Sequence, residues 1–137
     1  MKRTEARQRA LQALFQLDST ELTIEEAMQH ALSVDEETEA KTNAFFEQLV
    51  RGTTENLEAI DASLNEKLEN WTLARLPKIE RTILRLSVYE LKFANDAPNK
   101  VVLNEAIELC KLFGDEKSSK FVNGVLSESP ALFTRMS

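Results

Sequence analysis

Residues 77–94, PKIERTILRLSVYELKFA, decide the fold because they predict a helix that is apolar on several sides. Its apolar side chains spread over more than one narrow stripe, and they are Ile79, Ile83, Leu84, Leu86, Val88 and Leu91. A helix covered this widely is typical of the centre of a bundle. Pro77 suits the first turn, since the amide proton that proline lacks would have no partner there. The segment therefore predicts an all-α protein built around this helix.

Helical periodicity continues on the N-terminal side of this segment. Apolar residues at helical spacing predict a first helix over about residues 4–17. Thr23 and Glu26 then form a capping-box pattern, in which each side chain satisfies a free amide group. A short helix is expected to follow, ending at about Leu32.

The next periodic stretch predicts one long helix that begins at Asp35 or Thr38 and ends near Leu68. We expect any bend of this helix at Gly52, because glycine lowers helix propensity by roughly 1 kcal/mol.

Two more helices are predicted on the C-terminal side. After a break at Asn95–Pro98, the segment KVVLNEAIELCKLF forms a helix that ends at Gly114, which we expect to be left-handed. The last helix covers about residues 117–128 and stops before Pro130. Gly124 within it predicts the close approach of another backbone.

These elements predict one domain over residues 1–137. It consists of two small helical bundles packed together, with about six to seven helices in all. The N-terminal bundle covers about residues 1–70, and the C-terminal bundle covers about residues 71–137. Trp71–Leu76 connects them.

Composition is that of an ordinary globular protein, with 42% hydrophobic and 29% charged residues. No apolar run approaches the roughly 20 residues that span a bilayer, so we expect no membrane association. The single cysteine cannot form an internal disulfide. We therefore expect a cytoplasmic protein.

The sequence offers little for catalysis. His30, the only histidine, lies in a short amphipathic helix and is expected to be a surface or partly buried structural residue. Cys110 lies on an apolar stripe and is expected in the core. Two such residues cannot assemble a zinc site, and no phosphate-binding glycine loop or dinucleotide motif occurs. We expect no catalytic residues, no cofactor and no metal site.

The N-terminus is basic although the whole chain has a net charge of -6. Its first nine residues have a net charge of +3, and their cations are Lys2, Arg3, Arg7 and Arg9. One ridge at the edge of the core carries Arg3, Arg7, Leu11 and Phe15, so Phe15 should be partly exposed. Guanidinium groups bind phosphates and aromatic rings stack on bases, which favours a surface for single-stranded RNA. The alternative is a solvated terminus.

A second candidate surface lies in DEKSSKFVNGVL, residues 115–126, where Lys120, Phe121 and Asn123 follow a helix start. Amides, serine hydroxyls and lysines at a helix start suit phosphate. The alternative for Phe121 is a place in the core.

Four motifs together resemble the NusB family of bacterial transcription antitermination factors. They are RQRALQALFQ (residues 7–16), WTLARLPKIERTILRLSVYEL (residues 71–91), VVLNEAIELCKLFG (residues 101–114) and KFVNGVL (residues 120–126). The resemblance implies an all-helical, non-enzymatic RNA-binding factor. With NusE, a protein of the small ribosomal subunit, it would bind boxA RNA in nascent ribosomal RNA transcripts. It would thereby promote antitermination complexes on RNA polymerase with NusA and NusG.

The resemblance also implies roles for individual residues. Lys2, Arg3 and Arg7 match the arginine-rich RNA-binding motif of the family, with Arg9 adjacent to it. Lys120, Phe121 and Asn123 match positions near the RNA, whereas Phe15 and Glu80 match positions that contact NusE. Arg85 either faces RNA or forms an internal salt bridge. On this basis we expect Arg7→Ala to weaken RNA binding with little effect on stability.

Two other interpretations stay open at this level. Certain ribosomal RNA methyltransferases have a NusB-like N-terminal domain, but they need a following catalytic domain, and this sequence ends at Ser137. A purely structural interaction module, including a homodimer, would tolerate alanine at Arg3 and Arg7.

Overall fold

The computed structural model describes residues 2–32, 40–68, 72–94 and 97–128, and of residues 40–43 and 128 it describes the backbone only. The helices are α1 (Arg3–Ser19), α2 (Ile24–Leu32), α3 (Ala40–Glu55), α4 (Leu57–Lys67), α5 (Lys78–Tyr89), α6 (Asn99–Phe113) and α7 (Glu116–Glu128). A 3₁₀ turn spans Leu73–Arg75, and a π-helical turn, Glu90–Ala94, extends α5. No strand occurs in the described ranges, and the all-α prediction is confirmed.

The chain forms two compact units, Met1–Thr54 and Glu55–Ser137. The sequence predicts a boundary near residue 70, but α4 lies in the second unit, where it packs against α5. The second unit is therefore larger than predicted.

In the first unit, α1 packs closely against α2. Ala6, Ala10 and Ala13 of α1 and Ala27 of α2 are fully buried. Side chains this small allow two helix backbones to approach each other. The predicted capping box is confirmed, since the Thr23 amide donates to Glu26 Oε1 at 3.0 Å and the Glu26 amide donates to Thr23 Oγ1 at 3.1 Å. This reciprocal pair fixes where α2 begins.

The predicted long helix is interrupted, and the prediction of a bend at Gly52 is wrong. α3 continues through Gly52 to Glu55, and the break lies at Asn56, whose φ of -106° and ψ of 17° are not helical. The Asn56 carbonyl still accepts the Ile60 amide at 2.9 Å, so α4 starts without a loop. Gly52 stays helical because the fully buried Leu49 and Val50 hold this part of α3 in place.

In the second unit, α5 is the central helix, as predicted, and packs against α4, α6 and α7. Ile83, Leu84, Leu86 and Val88 are at most 1% exposed. The π-helical turn continues the helix to Ala94. Within this C-terminal part, the rings of Tyr89 and Phe93 stack with centroids 6.3 Å apart.

Both glycine predictions in the second unit are corrected. Gly114 ends α6, but its φ of -119° is not left-handed. A side chain would be crowded there, because a Cβ would lie only 3.0 Å from the Cys110 carbonyl oxygen. At Gly124, by contrast, a Cβ would meet no atom of the described residues within 4 Å, so none of their backbone approaches closely.

Of the two residues weighed for catalysis, His30 is exposed and Cys110 is fully buried, as expected. Burial, followed by the nearby carboxylates of Glu80 and Asp115, raises the pKa of the Cys110 thiol to about 12. The predicted features at Asp35, Thr38, Trp71, Asn95 and Pro130 lie outside the described residues.

Candidate nucleic-acid interface

Two arginines of α1 share one aromatic ring in the first unit. The guanidinium carbons of Arg3 and Arg7 lie 4.1 Å and 5.3 Å from the centroid of the Phe45 ring. Both distances suit cation–π attraction. The i, i+4 spacing places both arginines on the same side of α1, and Phe45 of α3 lies beneath them.

These two arginines differ in exposure, and the prediction that Arg7 lies at the edge of the core is wrong. Arg3 is exposed, but Arg7 is only 3% exposed. The ridge of Arg3, Arg7 and Leu11 therefore does not stay at the edge of the core, because Leu11 is also buried. Arg7 is part of the packed interior. Its contact with RNA stays a prediction, and a loss of stability in Arg7→Ala would have to be separated from it.

Arg9 faces α2. Its Nη1 donates to the Ala31 carbonyl oxygen at 2.7 Å, one residue before α2 ends, and its Nε lies 3.5 Å from Glu5 Oε2. An arginine that binds a carbonyl in the last turn satisfies a group that the helix itself leaves unpaired. The structure thus gives Arg9 a role in joining α1 to α2, and an RNA contact by Arg9 stays a prediction.

A polar cleft of about 360 Å³ borders this junction, and sequence reasoning missed it. Its lining residues are Glu5, Gln8, Arg9, Gln12, His30 and Ala31. They come from separate stretches of sequence, α1 and the end of α2, so no local pattern marks the cleft.

Lys2 and Phe15 lie towards opposite ends of α1. Lys2 is exposed and directly precedes the helix. Phe15 is half-buried, as predicted. Among the basic residues at the N-terminal end of the chain, the exposed ones are therefore Lys2 and Arg3, at the start of α1.

In the second unit, α7 carries Lys120, Phe121 and Asn123 within one turn. The Lys120 side chain is 79% exposed, with its Nζ 4.0 Å from Glu116, and Phe121 is half-buried rather than in the core. Asn123 is exposed, and its Oδ1 accepts a hydrogen bond from Ser127 Oγ at 3.0 Å. An exposed cation, a partly exposed ring and an exposed amide thus lie within four consecutive residues of α7.

The start of α7 is connected to Glu80 of α5. Ser118 Oγ donates to Glu80 Oε1 at 3.0 Å, and the Ser118 amide donates to Asp115 Oδ1 at 2.8 Å. The Ser118 hydrogen bonds hold the pKa of Asp115 below its ordinary value, as expected of a carboxylate that caps a helix. Glu80 itself is half-buried.

Of the two alternatives for Arg85, the structure shows the internal salt bridge. Its Nε and Nη2 donate to the two carboxylate oxygens of Asp61 in α4, at 2.8 Å and 2.9 Å. This bidentate contact occupies the N–H edge of the guanidinium that could otherwise bind a phosphate. RNA contact by Arg85 stays a prediction that the geometry does not favour.

Within the part of the chain that the structure describes, no cluster of three metal-ligating side chains occurs. None of the described helices is both long and apolar enough to cross a membrane.

These observations define a class of protein: all-helical, in two compact units, with exposed cations and partly exposed aromatic rings on helical surfaces. The sequence model of the NusB family matches residues 4–129. The chain therefore belongs to the NusB family.

Individual relatives agree with this assignment. The transcription antitermination protein NusB of Lysinibacillus sphaericus is 63% identical over 128 residues, covering 93% of this chain and 96% of that protein. The structure of T. maritima NusB matches with a TM-score of 0.84 and 38% identity, over 92% of this chain and 88% of that one. A crystal structure of antitermination factors NusB and NusE in complex with double-stranded RNA matches with a TM-score of 0.86 and 30% identity, over 96% of this chain and 95% of that one.

Proposed function

We propose that this protein is a non-enzymatic transcription antitermination factor that binds RNA together with NusE. Its RNA target is the boxA element of nascent ribosomal RNA transcripts, and it acts in the cytoplasm. It promotes antitermination complexes on RNA polymerase that include NusA and NusG. The observation that carries the proposal is the near-full-length match to a NusB structure solved with NusE and RNA.

The geometry of Arg3 supports RNA binding by the first unit. When a planar guanidinium stacks on an aromatic ring, the ring covers one of its two faces. The opposite face stays available to a nucleobase. Arg3 is exposed and lies 4.1 Å from the Phe45 centroid, so the ring limits its motion before RNA arrives. A side chain ordered in advance loses less conformational entropy on binding. Arg3 is thus a stacking surface whose N–H groups also bind phosphate at the guanidinium edge, and Lys2 beside it is a second phosphate contact.

Residues of α7 support RNA binding by the second unit. Lys120 supplies an exposed positive charge for phosphate, Phe121 supplies a partly exposed ring for stacking, and Asn123 supplies an amide that can read a base edge. These are three kinds of contact by which proteins recognise single-stranded RNA.

The test is fluorescence anisotropy of labelled boxA RNA titrated with the protein, with and without NusE, at several salt concentrations. We expect selective binding to boxA over a scrambled RNA, strengthened by NusE. Arg3→Ala and Lys120→Ala should each weaken binding and lower the salt slope by about 0.7, the value for one phosphate contact in single-stranded nucleic acid.

Lys111→Ala is the matched control for Lys120→Ala. Both lysines are exposed and each lies near a carboxylate of its own helix, at 3.5 Å for Lys111 and 4.0 Å for Lys120. Lys111→Ala should bind RNA as the wild type does. Equal binding to boxA and scrambled RNA, or equal losses in Lys111→Ala and Lys120→Ala, would contradict the proposal.

A further inference from the structure

Ser118 is held from three sides at the start of α7. Its amide donates to Asp115 Oδ1 at 2.8 Å, and its hydroxyl donates to Glu80 Oε1 of α5 at 3.0 Å. The Gly114 backbone lies so close that a Cβ at Gly114 would come within 3.0 Å of Ser118 Oγ. Ser118 is 6% exposed, so water does not readily replace these partners. The first turn of α7 cannot shift without breaking the hydrogen bond to Glu80.

The two carboxylates that accept hydrogen bonds from Ser118 also affect the pKa of Cys110. After burial itself, the negative charges of Glu80 and then Asp115 raise the pKa of this thiol further. Both carboxylates also accept a hydrogen bond from Ser118. Glu80 of α5 and Asp115 at the start of α7 therefore converge on the junction of α6 with α7.

We infer that Glu80 is a positioning residue for the RNA-binding surface of α7 and acts through its hydrogen bond with Ser118. Lys120 and Phe121 follow Ser118 by two and three residues, so their placement depends on where the helix starts. This inference rests on the proposed function. The inference also predicts that a partner that donates hydrogen bonds to the Glu80 carboxylate weakens the support of Ser118. By thermodynamic reciprocity, such a partner and RNA then affect each other's binding.

The experiment measures the affinity of labelled boxA RNA for the protein alone, without NusE, so that direct contacts of Glu80 with a partner do not contribute. Glu80→Met removes the acceptor at nearly constant length, Glu80→Gln keeps a carbonyl acceptor, and Ser118→Ala removes the donor. Glu108→Met is the control, since Glu108 of α6 has a side chain that is 65% exposed. Thermal unfolding of each variant is recorded in parallel.

We expect Glu80→Met and Ser118→Ala each to weaken RNA binding roughly three- to tenfold, the range for one side-chain hydrogen bond. The double variant should bind no more weakly than either single variant, because both remove the same interaction. Glu80→Gln should restore most of the affinity, and Glu108→Met should bind as the wild type does. A merely structural role would lower the melting temperature without this pattern of non-additivity and rescue.

Several results would overturn the inference. One is wild-type affinity in both Glu80→Met and Ser118→Ala while the wild-type protein selects boxA, which leaves the proposed function intact. Another is a double variant whose loss is the sum of the two single losses. A wild-type protein that binds no RNA would refute the proposed function and this inference together. If Glu80→Met folds poorly, amide hydrogen exchange in Ser118→Ala decides, and unchanged exchange in the first turns of α7 would refute the inference.

Discussion

Replacing Arg7 by alanine should destabilise the protein, although arginine is usually a surface residue. The change removes two methylene groups beyond Cβ, worth about 0.8 kcal/mol each when buried. It also removes a desolvated cation–π contact with Phe45, worth about 1–2 kcal/mol. Part of this is returned, because a buried guanidinium no longer has to be desolvated. We expect a net loss of about 2 kcal/mol, or roughly 8 °C in melting temperature for a chain of this size.

The assay is thermal and urea unfolding followed by circular dichroism, with Arg3→Ala as the matched control. Arg3 lies over the same ring but is exposed, so its removal should cost less than about 1 kcal/mol. Arg7→Lys keeps the charge and the apolar stem but loses the planar face, and it should fall between the wild type and Arg7→Ala. The RNA affinities of the variants are then compared at a temperature well below all of their unfolding transitions. If Arg7→Ala unfolds at the wild-type temperature, the assignment of Arg7 to the packed interior is refuted.

Three further predictions follow from particular contacts. Gly124→Ala should raise the free energy of unfolding by about 0.5–1 kcal/mol, because a methyl group there meets no atom of the described part of the chain within 4 Å and alanine favours the helix; an unchanged urea midpoint would contradict this. Cys110, with its pKa raised to about 12, should react with a thiol reagent at pH 8 only after unfolding, and rapid labelling of the native protein would show that the thiol is not buried. A double-mutant cycle with Asp61→Asn and Arg85→Met should give a coupling energy of about 1 kcal/mol; additive losses would mean that this partly buried pair contributes nothing.

Local signals explain most of what the sequence predicted correctly. The capping box at Thr23 and Glu26 and the wide apolar cover of α5 depend on residues a few positions apart, and the structure confirms both. The interruption at Asn56 has no glycine or proline signal, so helical periodicity does not indicate it. At Gly52 the local cost of about 1 kcal/mol is smaller than the packing energy of the buried side chains beside it.

The candidate sites were less predictable because their decisive contacts join distant parts of the chain. Nothing within α1 indicates that Arg7 is buried, since its partner Phe45 belongs to α3. Glu80 and Ser118 are 38 residues apart. Residue type and helical spacing therefore predicted which residues lie on α1 and α7, whereas tertiary packing decides which of them are free to meet a ligand.

For the basic N-terminus, the difference between buried and exposed cations predicts how steeply RNA binding depends on salt. If Lys2, Arg3, Arg7 and Arg9 all bound phosphates of single-stranded RNA, they would contribute about 2.8 to the slope of log K against log salt, at about 0.7 per contact. Arg7 is buried and Arg9 Nη1 is bonded to the Ala31 carbonyl, which leaves the exposed Lys2 and Arg3. Removing both in Lys2→Ala/Arg3→Ala should therefore lower the slope by about 1.4 and eliminate the whole contribution of this segment. A further decrease when Arg9→Ala is added, in a protein that stays folded, would show that Arg9 leaves α2 to bind RNA.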